Sequence, residues 1–423
     1  MTAVATPVTL VQSPKEIRRA RVLGIFYLVM AAVTYLVFNR GVEAGSQASF
    51  GMSLPQDAVQ LPDAVVPVRG FTFFVVVLFV FLAGVQLTRG FGKKANVILG
   101  VALGIFALAF LAWAAADGSF NMIGMLNSMV LRAVPICLGA LAGVLCERVG
   151  VINIAIEGMM LMGAFVGVVL ASATGSLTVG VISALLSGLV LAWVLGVLAI
   201  RYRVDQIIIG VFINIFALGL TSFLTSRILV NIPDLNNSPR AQPIAIPVLS
   251  DIPVLGPVLF DNNIFVYAMF FFVVLLQWAL FRTRWGLRAR SVGEKPKAAD
   301  TLGINVFRTR YRNVMFGGMM AGLGGAFFTL GSVGRFDENM TAGRGFIGLA
   351  AMIFGRYHPV GALGAALVFG FADSLQQKMA ILNTPIPSEF LLMAPYIVTI
   401  IVVAGLVGRT RIPAADGQPY VKE

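Results

Sequence analysis

Charge is scarce in this 423-residue chain. Only 12% of residues are Asp, Glu, Lys or Arg and 58% are hydrophobic, with mean hydropathy +0.90; soluble domains carry roughly 25% charged residues. A water-soluble globular protein is therefore excluded, and the expected fold class is all-α, a polytopic membrane helix bundle. Length divided by a typical domain size does not count domains here, because a helix bundle in lipid grows as one unit. Histidine is nearly absent: His358 stands alone, without Cys or His company at metal-ligand spacing, so no metal site is expected. The two cysteines, Cys137 and Cys146, are nine positions apart in one apolar run and would point to opposite faces of a helix, which rules out a disulfide between them. They read as small packing residues.

Catalytic signatures are missing as well. No GxxxxGK[ST] phosphate loop, HExxH or nucleophile elbow occurs, so the chain is expected to be no enzyme, to carry no cofactor and to leave any ATP to another protein. The stretch GRGFIG, 343 to 348, matches GxGxxG by letter. A dinucleotide fingerprint must follow a strand and open a soluble βαβ unit; this one lies in a membrane segment and is rejected.

What is plentiful is positive charge, with 31 Lys and Arg against 19 Asp and Glu and a net charge of +12. In a soluble protein that balance would suggest nucleic acid. Here the basic residues gather in short loops between apolar runs, as they do on the cytoplasmic side of a membrane, so no nucleic-acid partner is expected. Runs long enough to cross the hydrocarbon, about 20 residues each, occupy 22–38, 71–88, 95–116, 122–146, 150–172, 176–200, 204–224, 264–281, 313–332, 342–356, 359–380 and 390–407. With the N-terminus inside, the internal segments collect Lys15 to Arg21, Arg89, Lys93, Lys94, Arg148, Arg201, Arg203, Arg356, Arg409 and Arg411, while the external ones hold most of the acids. The expected organisation is a cytoplasmic segment 1–21, additional helices in 22–121, a core domain 122–407 and a cytoplasmic tail 408–423, with both termini inside. The 342–356 run is only about 22 Å long as a helix and rich in glycine, which suggests a broken or re-entrant element. If it does not cross, a neighbour must also fail to cross, and the count falls from twelve to ten.

Two loops are long. Residues 229–263 contain six prolines and suit a stiff external platform, while 282–312 is cytoplasmic and carries nine Lys and Arg. Within the second, Pro296 near a first turn and Gly303 as a stop bracket a short helix. In the run from Asn313, Gly318 and Gly322 form GxxxG, which allows close helix approach in lipid.

Polar residues inside a membrane bundle mark either pathways or structural pins. Asn153 and Glu157 in ERVGVINIAIEGMM would share one face of a helix starting near Gly150, about 10 Å from the Glu147/Arg148 end, a depth that favours a pin between helices. Asn214 falls nearer the midplane and is the better pathway candidate, with an interhelical hydrogen bond as the alternative. Asp373 is the main acid within a span, toward the outer face.

Three blocks in order, NSMVLRAVPICLGALAGVLCERVGVINIAIEGMMLMGAF, RARSVGEKPKAADTLGINV and TAGRGFIGLAAMIFGRYHPVGALGAALVFGFADSLQ, resemble bacterial ABC-importer permeases of the simple-sugar and nucleoside type, the broad family that includes ribose and branched-chain amino-acid permeases. The resemblance implies a type II importer fold of about ten to twelve helices in the inner membrane. It further implies a cytoplasmic ATPase that binds the ATP, an external substrate-binding protein and a second permease subunit, with a heterodimer indicated by the nucleoside-like form of the first block. It also makes GEKPKAADTLG the coupling helix that docks on the ATPase, with Gly293, Glu294, Pro296, Ala298, Ala299 and Gly303 matching the pattern. Alternatives within reach of the sequence are a permease for branched-chain amino acids or another small solute, and a stand-alone secondary transporter.

Overall fold

The computed structural model describes residues 14–55, 59–381, 393 and 411–422. Among them ten helices are long and apolar enough to cross a membrane, as in a multi-pass membrane protein. Apart from Met393, the candidate span 390–407 lies outside the described residues.

The described chain divides into two compact units, one formed by residues 14–55 and 60–122 and the other by 59, 123–381, 393 and 411–422. In the first, α1 (Pro14–Val33) continues as π-helical turns to Asn39 and is followed by β1 (Gln47–Gly51), β2 (Ala64–Pro67), α2 (Val68–Thr88), α3 (Ala95–Ala114) and β3 (Ser119–Asn121). The three short strands pair in the order β2-β1-β3. Phe38 anchors an aromatic knot with Phe106, Phe110 and Trp113 at centroid distances of 5.4 to 5.8 Å. Below it the Asn39 amide donates to the Arg69 carbonyl and the Thr72 hydroxyl, so its buried polar end is satisfied.

The second unit begins with α4 (Met122–Glu147), whose inner half from Ala133 to Cys146 is wholly buried. It continues through α5 (Ile156–Thr174), α6 (Leu177–Gly196), α7 (Gln206–Leu224), α8 (Ile264–Arg282), α9 (Arg284–Glu294), α10 (Pro296–Thr301), α11 (Val306–Phe328), α12 (Arg344–Phe354) and α13 (Pro359–Ile381). The Pro-rich loop between α7 and α8 holds only single turns and a two-residue ladder, β4 (Ile244–Ala245) with β5 (Asp261–Asn262). At the centre α5, α6 and α11 pack most extensively. A methyl group at Gly188 of α6 would collide with the Gly318 carbonyl, and one at Gly325 with that of Met160 in α5. Gly163 and Gly322 likewise meet backbone to backbone, so α11 approaches both neighbours as closely as glycine permits.

Both polar stretches noted in the sequence are places where the backbone leaves helical form. The expected helix from 150 to 172 is corrected: α5 begins only at Ile156, and Asn153 lies in an unwound approach rather than one turn below Glu157 on a shared face. The cause is Gly150, which turns the chain out of α4 at φ +78 with its N–H on the Glu147 carbonyl. Unwound backbone at membrane depth survives only if its polar groups are paired within the protein. Here Val151 N–H donates to Cys146 O, Ile152 N–H to the Gln206 side chain and Ala155 N–H to the Asn153 side chain, while Ile154 O accepts from Asn214.

The 342–356 run is the second such place. Residues 334–343 descend in bends and turns along α5, with Phe336 on Phe165 and Met340 against the cluster that holds Leu161. Asn236 of the Pro-rich loop accepts from Phe336 N–H and donates to its carbonyl. Then α12 carries the chain the rest of the way, to Tyr357, whose carbonyl accepts from Arg148. The helix is about 16 Å long and crosses nothing alone, but the non-helical half, which meets the Pro-rich loop at Phe336, and the helical half, which ends by Arg148, together pass from one end of the bundle to the other.

Candidate functional site

The two broken elements meet at Glu157. Ile156 and Met160 of α5 and Gly348 of α12 all lie within 4 Å of where a Cβ at Gly139 of α4 would stand. Gly139 is eight residues, about 12 Å, from the Glu147 end of α4, near the middle of a 30 Å hydrocarbon layer. There the Glu157 carboxylate accepts from the Thr341 hydroxyl at 2.6 Å, from Gly343 N–H at 2.8 Å and from Gly345 N–H at 2.6 Å. Glu157 belongs to the first turn of α5 and caps the N-terminus of α12, so the positive ends of two helix dipoles converge on one buried carboxyl group. All three partners donate to its oxygens. A Cβ at Gly345 would lie 2.6 Å from the Glu157 backbone, so only glycine lets α12 come this near.

The other two sequence candidates serve the same junction. The Asn214 side-chain oxygen accepts from Gly158 N–H at 2.7 Å while its amide donates to Ile154 O. Asn153 caps Ala155 N–H and points its amide at the Cys146 and Met159 sulfurs. Sequence reasoning missed Gln206, which carries the Ile152 N–H; its position after the helix-capping Asp205 was the available signal.

One layer away lies a mixed-charge triad. Arg344, at the start of α12, meets Asp373 of α13 at 3.0 Å, and Arg132 of α4 stands 4.0 Å from the same oxygen. Asp373 is nearly covered, whereas the two arginine side chains are 27% and 26% exposed. A guanidinium facing lipid would cost about 3 kcal/mol or more, so this exposure belongs to an aqueous or protein-lined face. Asp373 was visible as an acid in a span; the arginines that address it were not singled out.

A chain with a helix broken at mid-depth and polar groups turned into the bundle has the build of a transport pathway, and its relatives are transporters. Residues 124–403 match the family described as branched-chain amino acid transport system / permease component. The guanosine ABC transporter permease protein NupQ of Bacillus subtilis is 41% identical over 304 residues, 69% of this chain and 95% of its own length. The nucleoside ABC transporter permease protein NupC of Lactococcus lactis is 38% identical, over 70% of this chain and 96% of its own. A further guanosine ABC transporter permease protein of B. subtilis, NupP, is 24% identical over 69% of this chain and 85% of its own. No solved structure matches. The chain belongs to this permease family.

The basic end of the permease carries the residues that the sequence assigned to coupling. The short helix α10 begins with Pro296 and ends before Gly303, whose φ of +79 turns the chain back toward α11. Ala299 is buried and Glu294 and Ala298 face outward, as does Leu302, which the sequence reading passed over and which is 80% exposed at the tip. Gly293 is pressed against the Arg148 carbonyl and accepts at its own carbonyl from Ala415 N–H.

That last contact belongs to a strap. Residues 411–422 run back under the bundle: Arg310 bridges the Val149 and Gln418 carbonyls, Tyr420 packs on Phe307, and Lys422 lies 3.9 Å from Asp300 of α10. Asp416 faces Glu147. Burial pushes the Asp416 carboxyl up to about 6, against the lowering effect of its hydrogen bonds to Glu147 and Gly417 and of Arg310. Nearby, His358 stacks on Phe281 at 4.4 Å; burial and then Arg148, Arg290 and Arg356 push its imidazole below the usual range. Among the described residues no group of three His, Cys, Asp or Glu is placed to hold a metal.

Proposed function

We propose that the permease is one membrane half of an ABC importer for nucleosides, lying in a bacterial inner membrane with both termini cytoplasmic. The observation that carries this reading is the 41% identity to a guanosine permease across 95% of that protein's length. A heterodimeric partner is supported by the two guanosine permeases of one organism: this chain is 41% identical to one and 24% to the other, so a second, divergent permease would supply the other wall. The α10 turn docks on a cytoplasmic ATPase that binds the ATP, and the Pro-rich loop offers a stiff surface to an external binding protein. The permease itself holds no cofactor.

In this mechanism Asn153, Glu157 and Asn214 act on the pathway by holding two broken elements together at mid-depth. Their hydrogen-bonding capacity goes largely to backbone groups. Solute contact falls to the partly exposed triad. The Arg132 guanidinium, which among the described residues reaches only Asp373 at 4.0 Å, keeps donors free for a purine edge, and Asp373 can accept from ribose hydroxyls. Alternating access is then a rocking of α12 and its neighbours, driven through α10 and the strap.

The test is uptake of labelled guanosine by cells that express the permease with its neighbouring transporter genes, with unlabelled uridine, glucose and leucine as competitors. Competition by nucleosides alone supports the reading, and competition by leucine or glucose alone rejects it. Tagged permease that brings down no ATPase and no second permease would sink the importer assignment altogether.

A further inference from the structure

We infer that the permease binds a phosphate headgroup in a basic cavity behind its coupling helix. The cavity, of about 440 Å³, lies between α9, the turn after α10 and the first turns of α11. Its walls carry Trp285 and Arg288 from α9 and Arg308 and Arg312, one turn apart, from α11. Among the described residues none of these three guanidiniums has an acidic partner within 4.0 Å or a side-chain hydrogen bond. No acidic side chain lines the cavity. The N-terminus of α11, capped by Asn305, opens into it and adds the positive end of a helix dipole.

At its floor sits Asn313, fully buried. Its amide nitrogen donates to Thr309 O at 2.8 Å, and its side-chain oxygen has no partner. An unpaired buried acceptor is destabilising, and a hydroxyl or ammonium donor in the cavity would satisfy it. Three free guanidiniums and one free acceptor together fit a phosphodiester that carries a hydroxyl-bearing head.

Depth decides in favour of a lipid. Trp285 comes three residues after α8 ends at Arg282, and Asn313 abuts Val314, where the apolar run of α11 starts. The cavity is thus level with lipid headgroups, where tryptophan concentrates and basic pockets between helices hold anionic lipids.

The test uses the full-length chain in neutral detergent, probed by native mass spectrometry and thermal unfolding with dioleoyl phosphatidylglycerol, dioleoyl phosphatidylcholine or inorganic phosphate. The wild type is expected to retain phosphatidylglycerol at least tenfold more tightly than phosphatidylcholine. The double variant Arg308→Gln/Arg312→Gln should lose about thirtyfold of that affinity, Arg288→Gln on the opposite wall should lose part of it, and Arg335→Gln beyond the far end of α11 should lose none. Displacement of the lipid by millimolar inorganic phosphate would assign the site to free phosphate. Equal retention of both lipids, or unchanged retention by the double variant, overturns the site. If the double variant keeps the lipid but no longer captures the ATPase, the basic wall is a protein-docking surface and the inference falls.

Discussion

An ionised carboxylate at the centre of a membrane domain costs several kcal/mol unless the protein supplies the hydrogen bonds that water would have made. Glu157 obtains three, two of them from backbone amides at the N-cap and first turn of α12. We predict that Glu157→Gln, which keeps one acceptor oxygen and turns an amide donor toward a donor, leaves one partner unpaired at about 1–3 kcal/mol. The variant should melt several degrees lower and import more slowly. Gly345→Ala should do more damage, because its methyl group meets the Glu157 backbone rather than a mobile side chain. A Gly345→Ala protein with wild-type melting temperature and uptake would show that the clamp is dispensable. At the basic end, Asp416 supplies a pH dependence. Its folded value, near 6, lies above the ordinary 3.8, so the protonated form is the one that docking favours. The contribution is complete below about pH 4 and is lost as pH rises through 6. Thermal stability of the wild type should therefore fall across that window more than that of Asp416→Asn; parallel curves for the two proteins would refute it.

Among the described α-helices, α10 is the shortest. Leu302 makes almost no contact within the chain, so Leu302→Asp should leave the unfolding temperature unchanged while reducing co-purification of the ATPase by tenfold or more. Loss of folding instead would mean that the residue packs inside the permease. The limits of α10 were legible because Pro296 and Gly303 act through local backbone geometry. The unwinding before α5 was not, because Val149–Ile156 reads as one apolar run and hydrophobic periodicity carries no information about a left-handed turn at Gly150. The signal lay in the polar residues themselves. Asn153, Gln206 and Asn214 are amides in oily surroundings, and amides there commonly serve orphaned backbone. The sequence also marked 342–356 as broken, but not that 334–343 completes the crossing, since that stretch has too many polar residues to count as a span. Arg132 and Arg344 were invisible as a pair for a plainer reason: they are 212 positions apart in sequence and meet only through Asp373.

For the molecule as a whole, the strap joins α10, the start of α11 and the unwound approach to Glu157, the parts that would have to move together if α10 couples to an ATPase as proposed. A chain ending at residue 410 should still assemble with its ATPase through α10 but import poorly, with ATP turnover no longer stimulated by solute; retained coupling in that truncation would assign the strap to stability alone. The halving of one membrane crossing also constrains how the protein is made. When α12 leaves the ribosome it is eleven residues long, preceded by Arg335, Asp337, Glu338 and Asn339, and insertion machinery that weighs segments one at a time has nothing there to recognise. Thr341, Gly343 and Gly345 can settle at mid-depth only once Glu157 is already waiting there. The order of synthesis is thus expected to be the order of assembly, with α12 entering lipid as a guest of helices α4 and α5, completed well over a hundred residues earlier. In a cell-free insertion assay, a glycosylation tag placed after Phe354 should change sides when Glu157 is replaced by leucine and stay put when Asp373 is.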